Sequence, residues 1–218
     1  KAGAADFIKK PFDLDELAVQ VNKALEQVRL ARENSLLRRS LRDCRTELGM
    51  VGSSPAMEPV LDRIRKVADI PCNVVVTGES GTGKELVARA VHNAGARAEG
   101  PYVVIDCGAL TDTLLESELF GHEKGAFTGA ASRKRGLLES AHGGTVLLDE
   151  ICNISDSMQM KLLRVLQEQQ VTRVGGTTPV PIDVRFVAAT NRDLEGMVAA
   201  GEFRHDLYHR LNVVTIPV

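Results

Sequence analysis

The chain has 218 residues, 44% of them hydrophobic and 26% charged, with a formal net charge of −2; these proportions fit one sizeable soluble α/β core plus a small extra segment. The near-neutral balance excludes a global basic field for nucleic acid or an anionic membrane. With no apolar run of about eighteen residues and no signal segment, nothing spans or crosses a bilayer. The four cysteines, Cys44, Cys72, Cys107 and Cys152, lack Cys-x-x-Cys spacing and read as reduced thiols of a cytoplasmic protein.

The chain opens at Lys1 with no start methionine, as a part of something longer would. Ala5-Asp6-Phe7-Ile8-Lys9 reads as a short strand ended by Lys10-Pro11. Beyond Asp13, a candidate N-cap, apolar residues at Leu14, Leu17, Val21, Leu25 and Val28 recur in steps of three and four and predict an amphipathic helix. Gly3-Ala4, Asp6-Phe7-Ile8 and Lys10-Pro11-Phe12 resemble the last strand and helix of a response-regulator receiver domain, over residues 1–27. That resemblance gives Lys10 the contact with a phosphorylated aspartate, a residue this sequence does not contain.

A second register, Leu30, Asn34, Leu37, Leu41, Cys44 and Leu48, alternates steps of four and three, with Arg32, Glu33, Arg38, Arg39, Arg42, Asp43, Arg45 and Glu47 between. Residues 28–48 therefore read as a linker helix, either a short two-stranded coiled coil with Asn34 fixing register or a lone helix packed on the next domain. Gly49 and Gly52-Ser53-Ser54-Pro55 mark the boundary of a third region, 49–218. It begins with a helix over 56–68, apolar at Met57, Val60, Leu61, Ile64 and Val67.

The stretch with the clearest chemistry follows. Val74-Val75-Val76, a β-branched run, leads into Gly78-Glu79-Ser80-Gly81-Thr82-Gly83-Lys84-Glu85 and then a helical pattern to about Asn93. Strand, Gly-x-x-x-x-Gly-Lys and helix in that order form a phosphate-binding loop. Its glycines allow backbone amides to converge on phosphate oxygens, and Lys84 supplies a point charge for the β- and γ-phosphates. Glu85 stands where a Ser or Thr normally offers Mg²⁺ a hydroxyl.

Tyr102-Val103-Val104-Ile105 is a second strand, and strands alternating with helices predict a parallel sheet with helices on both faces and nucleotide at the strands' carboxyl ends. In Gly125-Ala126-Phe127-Thr128-Gly129-Ala130, Phe127 is the one large side chain on a glycine-flanked loop. It is either a contact for a partner or a residue tucked into the core. The apolar run Val146-Leu147-Leu148 delivers Asp149 and Glu150 to the same crevice, where Asp149 would hold Mg²⁺ and Glu150 would orient and polarise the attacking water.

A helix over 156–169 is apolar at Met160, Leu162, Leu163, Val165 and Leu166. Val184–Ala188 is a further strand, ending at Thr190-Asn191-Arg192. Asn191 either senses the γ-phosphate or lytic water, or caps the helix that starts at Asp193. Arg204 and Arg210, on the last short helix and on different faces, are surface charges or arginine fingers for a neighbouring subunit's nucleotide. His205 and His209, at i and i+4, lack a third ligand and read as a solvated helix face.

Together the Gly78–Glu85 loop, the GAFTGA string at 125–130, the Asp149-Glu150 pair and Phe203-Arg204-His205-Asp206-Leu207-Tyr208-His209-Arg210-Leu211 resemble the AAA+ domain of NtrC-type bacterial enhancer-binding proteins, sigma-54-dependent response regulators. The resemblance covers residues 49–218. It implies a P-loop AAA+ parallel sheet sandwiched by helices that hydrolyses ATP and remodels the closed complex of sigma-54 RNA polymerase. Within it Glu85 is the usual residue after the lysine, Asp149 serves Mg²⁺, Glu150 activates water, and Asn191 belongs to the first sensor. Arg204 and Arg210 act on the next protomer's nucleotide in a hexameric or similar ring. Gly125, Ala126, Phe127, Thr128, Gly129 and Ala130 engage sigma-54, and Val51 and Gly52 lie against adenine. The family commonly carries Asn after its second strand, coupled to the catalytic glutamate; this chain has Asp106, which cannot donate as an amide does. The helical lid and DNA-binding domain of the family plan lie outside the sequence, so DNA contact is expected only through the latter and the chain itself is expected to be weakly active. Rival readings are a remodelling ATPase for another protein and a nucleotide-gated assembly module. If residues 28–48 pair as a coiled coil, removing residues 1–48 should convert a dimer to a monomer in sedimentation; a shortened chain that stays dimeric would refute the pairing.

Overall fold

The computed structural model describes residues 22, 25, 26, 29, 50, 54–127 and 129–218, and the chain divides into two compact units, Lys1–Glu47 and Leu48–Val218. In the first, Asn22, Leu25, Glu26 and Arg29 are helical. The rest of the expected receiver end and linker, together with Val51, Gly52 and Thr128, lies outside the described residues.

The second unit is built on a parallel sheet. Its strands are β1 (Val74–Thr77), β2 (Tyr102–Asp106), β5 (Thr145–Asp149), β8 (Arg185–Thr190) and β9 (Val214–Pro217), in the order β2-β5-β8-β1-β9. The apolar runs of the middle strands are near-continuous because both faces are covered. Val75, Val146, Leu148, Phe186 and Ala188 join one buried cluster, while the alternate residues Val74, Val76, Leu147, Val187 and Ala189 join the other. A period of two thus sends neighbours to opposite sides.

On the second face pack helix α1 (Glu58–Ala68), started by a proline in its first turn, and α2 (Lys84–Ala94). Val60, Ile64 and Val67 of α1 bury one stripe. The first face carries α3 (Asp112–Phe120), α4 (Leu137–Ser140), α5 (Asp156–Glu168), α6 (Leu194–Ala199) and α7 (His205–Leu211). Ser155 caps α5 by accepting the Met158 amide, and that helix buries Met158, Leu162, Val165 and Leu166. Met160, expected in the apolar stripe, points outward at 44% exposure.

The sequence pattern did not indicate α3, α4 or the small hairpin of β3 (Gly121–His122) with β4 (Lys134–Arg135); a second hairpin, β6 (Gln170–Thr172) with β7 (Pro179–Pro181), encloses the Gly175-Gly176 turn. Prolines at both ends of β7 argue against a central strand, but a two-stranded ribbon has edges free to accept them.

Buried Arg185 joins the layers. Its guanidinium donates to the carbonyls of Val67 and Ala68, each at 2.6 Å, and of Cys72 at 3.2 Å. It thereby satisfies the open end of α1 from the first residue of β8, while burial pulls its pKa below the ordinary arginine value. Arg185→Met should lower the unfolding free energy by about 2–4 kcal/mol in urea titration, because buried acceptors lose their donor. A loss under about 0.5 kcal/mol would mean that those carbonyls find other donors.

Candidate functional site

The phosphate loop leaves β1 at Thr77. Gly81 and Gly83 have φ of +84° and +89°, left-handed values that glycine tolerates. A Cβ on Gly78 would lie 2.7 Å from the Val218 carbonyl oxygen and 3.0 Å from Thr82 Oγ1, so the close turn excludes a side chain. Lys84 opens α2 and folds over the loop, its Nζ donating to the carbonyls of Gly78 at 3.0 Å and Glu79 at 2.7 Å. With Gly83 as a cap that has no side-chain hydrogen bond, the first amides of α2 and the lysine form a donor set suited to phosphate. Thr82 Oγ1 donates to the Glu79 carbonyl, bracing the loop. Glu85 turns along the helix to Arg89 at 2.9 Å.

Asp149 ends β5, and its Oδ1 accepts the Glu150 amide at 2.9 Å. Glu150 has φ +50°, a left-handed value that costs a non-glycine residue about 1 kcal/mol or more and is commonest where function demands it. The short turn Ile151–Asn153 follows. Asn153 Nδ2 donates to Glu150 Oε2 at 2.8 Å. Asp106 on β2 faces Asp149 across the sheet, but its Oδ1 accepts the amides of Gly108 and Ala109 at 2.8 and 3.0 Å. Burial pushes the adjoining Cys107 thiol up to about 12, with the Asp106 charge adding to it; Cys107 is no nucleophile at neutral pH.

Asn191 follows β8. Of its two readings, capping is not what the structure contains: Asp193 caps α6, its carboxylate accepting the Glu195 amide at 3.0 Å. Asn191 Oδ1 instead lies 3.7 Å from Cys152 Sγ. With β5, β8 and β1 adjacent, Asp149, Glu150, Asn191 and the phosphate loop share one edge of the sheet. A cavity of about 430 Å³ there is lined by Thr77, Gly78, Glu79, Asn191, Tyr208 and Asn212 among others.

Neither Arg204 nor Arg210 lines that cavity. Arg204 precedes α7 and is engaged by Asp206 at 3.0 Å and Asp156 at 3.6 Å. Exposed Arg210 lines a different cavity with Pro71, Asn73 and Val213, at the amino ends of β1 and β9. His205 and His209 meet at 2.9 Å, and the described residues hold no cluster of three His, Cys, Asp or Glu side chains fit for a metal. Nor, among them, is any helix long and apolar enough to cross a membrane.

The GAFTGA loop projects from β3. Gly125 and Gly129 have φ of +82° and +107°, and Gly125 donates its amide to the Ala130 carbonyl at 2.9 Å. Phe127 is 43% exposed and touches the His122 ring edge-on at 5.0 Å, so it is not a core residue. The loop's base is clamped by a group not anticipated from sequence. Arg173, just after β6, donates to Glu139 twice at 2.7 Å and to Glu123 at 2.8 Å. No local signal reveals it, because the partners lie 34 and 50 residues away.

A family model described as the sigma-54 interaction domain matches residues 50–217. The transcriptional regulatory protein ZraR of Klebsiella oxytoca is 52% identical over 216 residues, 99% of this chain and 48% of that protein. The regulatory protein AtoC of Escherichia coli K12 is 48% identical over 214 residues, 98% of this chain and 46% of that protein. A crystal structure of NtrX from Brucella abortus in complex with ATP superposes with a TM-score of 0.75 at 45% identity, covering 99% of this chain and 45% of that one. The chain spans about half the length of these relatives.

The Arg173 hydrogen bond, chiefly, holds the Glu123 carboxyl below its ordinary value, against a smaller desolvation effect and with help from Arg133. A depressed pKa adds stability that is complete above the unfolded value, about 4.3, and is lost as pH falls through the folded one. Exchange of the Glu123 amide, bonded to the Val174 carbonyl and measured relative to an unstructured amide at the same pH, should therefore stay slow from neutral pH to about pH 4 and quicken only below that. In Arg173→Gln it should be fast at neutral pH; unchanged protection in that variant would dissolve the clamp.

Proposed function

The chain belongs to the sigma-54 interaction domain family of AAA+ P-loop NTPases, and from that premise we propose that it is the ATP-hydrolysing core of a sigma-54-dependent transcriptional activator. The observation that carries the reading is the convergence of the Lys84 loop, Asp149-Glu150 and Asn191 on one sheet edge, while Phe127 stands exposed elsewhere. Lys84 and the loop amides over Gly78–Glu85 would bind the phosphates of ATP. Mg²⁺, held by Asp149, would neutralise charge on them. Glu150 accepts a proton from water as the water oxygen bonds the γ-phosphorus and the β–γ bridging oxygen leaves with ADP. Asn191 senses the γ-phosphate.

Arg204 and Arg210 act on a neighbouring protomer's nucleotide, which makes a ring the active form. Arg210 sits at the amino ends of strands whose carboxyl ends carry its own chain's phosphate loop, as a residue acting on another subunit would. Val51 and Gly52 lie against adenine. Phe127 and Thr128 engage sigma-54 in the polymerase, in the cytoplasm. A receiver end over residues 1–27 and a pairing linker over 28–48 complete the proposed domain plan.

Glu150→Gln should leave ATP affinity within about twofold and lower phosphate release by about a hundredfold or more. Unchanged release would favour a nucleotide-gated assembly module. Phe127→Leu should keep hydrolysis and abolish binding of isolated sigma-54 in the presence of a transition-state analogue. Retained binding would remove Phe127 from the contact, and transcription untouched by the change would point to a remodelling ATPase for another protein.

A further inference from the structure

Helix α7 buries Leu207 and Leu211. His205 and His209 lie four residues apart, about 40° around the helix axis, on the opposite side, and both are exposed. Their Nε2 atoms approach to 2.9 Å, with ring centroids 4.2 Å apart and the rings edge to face. Helical spacing alone makes such side chains neighbours. It does not require that the same nitrogen of each ring be turned to the other.

That contact contains one hydrogen. In a neutral imidazole one nitrogen donates and the other accepts, so one Nε2 carries the hydrogen and its partner offers a lone pair. Moving the hydrogen to Nδ1 of the same ring leaves a lone pair on each Nε2 with no change in charge. Two neutral imidazoles presented together are ligands for a divalent transition ion.

The spacing selects among such ions. With metal–nitrogen bonds of about 2.0–2.1 Å, two nitrogens at a right angle about the metal are about 2.9 Å apart, and at the tetrahedral angle about 3.3–3.4 Å. The observed 2.9 Å therefore suits adjacent positions on a tetragonal ion of the nickel and copper class better than tetrahedral zinc. Among the described residues no third His, Cys, Asp or Glu joins the pair. A closed structural site needs such ligands, whereas an open site completes its shell with water. Nor do the flanking charges oppose a cation strongly. Arg204, next to His205, is already met by Asp206 at 3.0 Å and Asp156 at 3.6 Å, and Arg210, next to His209, is exposed where water and salt screen it.

We propose that His205 and His209 form a two-ligand site for a divalent ion of the nickel and copper class. The ion clasps the first turn of α7 to the second, on the helix flanked by Arg204 and ending just beyond Arg210. The site stands on the two imidazoles and is independent of the reading of hydrolysis given above.

The test uses the whole, untagged 218-residue chain and Ni(II) chloride as the probe. Calorimetric titration should show a saturable site that weakens about tenfold or more in His205→Ala and equally in His209→Ala, because either change turns a chelate into a single contact. In proton NMR the ring signals of His205 and His209 should respond together to Ni(II). Exchange of the Tyr208 to Leu211 amides should slow about fivefold or more on adding the ion to the unaltered chain, and should not slow in His209→Ala. Equal affinity in the unaltered chain and either variant, or ring signals of the two histidines that ignore Ni(II), would overturn the proposal.

Discussion

Parallel pairing of five strands, with both faces of the sheet covered, is the constraint from which the site follows. A strand buried on two sides can offer a polar group only where it leaves the sheet, and parallel strands all leave on the same side. The register makes this specific. Thr77 pairs with Thr190 and Asp106 with Asp149, so the phosphate loop, Asn191, the acid pair and the turn at Gly108 begin at one level. No long-range side-chain contact is needed to assemble them; backbone hydrogen bonds that fix strand order also fix the chemistry.

This explains what was legible in the sequence. Val74-Val75-Val76 and Val146-Leu147-Leu148 announce buried strands because neither face needs a polar residue, and the groups after them, Gly78 to Lys84 and Asp149-Glu150, announce their chemistry through local spacing. Features set by distant contacts did not announce themselves. Helix Asp112–Phe120 carries Leu114 outward and Ser117 inward, so it lacks the one-sided apolar stripe by which a helix is read. Ser117 is buried because it bonds His122 at 2.8 Å, a pairing that the sequence cannot display. Of the two readings that Asn191 allowed, the helix cap arose because an Asn before a helical pattern usually is one, yet Asp193 sits closer to the first turn and takes that role. Asn153 passed unnoticed as an ordinary turn residue. Its hydrogen bond to Glu150 at 2.8 Å forms where Glu150 adopts a left-handed backbone.

The loop that carries Phe127 illustrates a different economy. Its tip is exposed, but its base is held by Arg173, 12% exposed, against Glu139, 4% exposed. Taking two such charges from water is costly, and a buried pair is justified less by stability than by the one geometry it permits. Ala126 also packs so closely on Gly175 that a Cβ there would come within 2.8 Å. The β6–β7 ribbon and the loop base are therefore joined at two places, the Arg173 ion pairs and the Ala126–Gly175 contact.

Arg204 is the counterpart. It too is met by two carboxylates, yet Asp156 and Asp206 are 70% and 44% exposed, and exposed ion pairs contribute little in water because screening and side-chain entropy offset the attraction. Exchanging them for a phosphate oxygen from another subunit would cost little, and the charge-assisted bonds gained would be of the stronger kind. Arg173 could not make that exchange without stranding a buried glutamate. The two arginines thus differ through the burial of their partners rather than their own chemistry: one is suited to hold a shape through a cycle, the other to change partners within it.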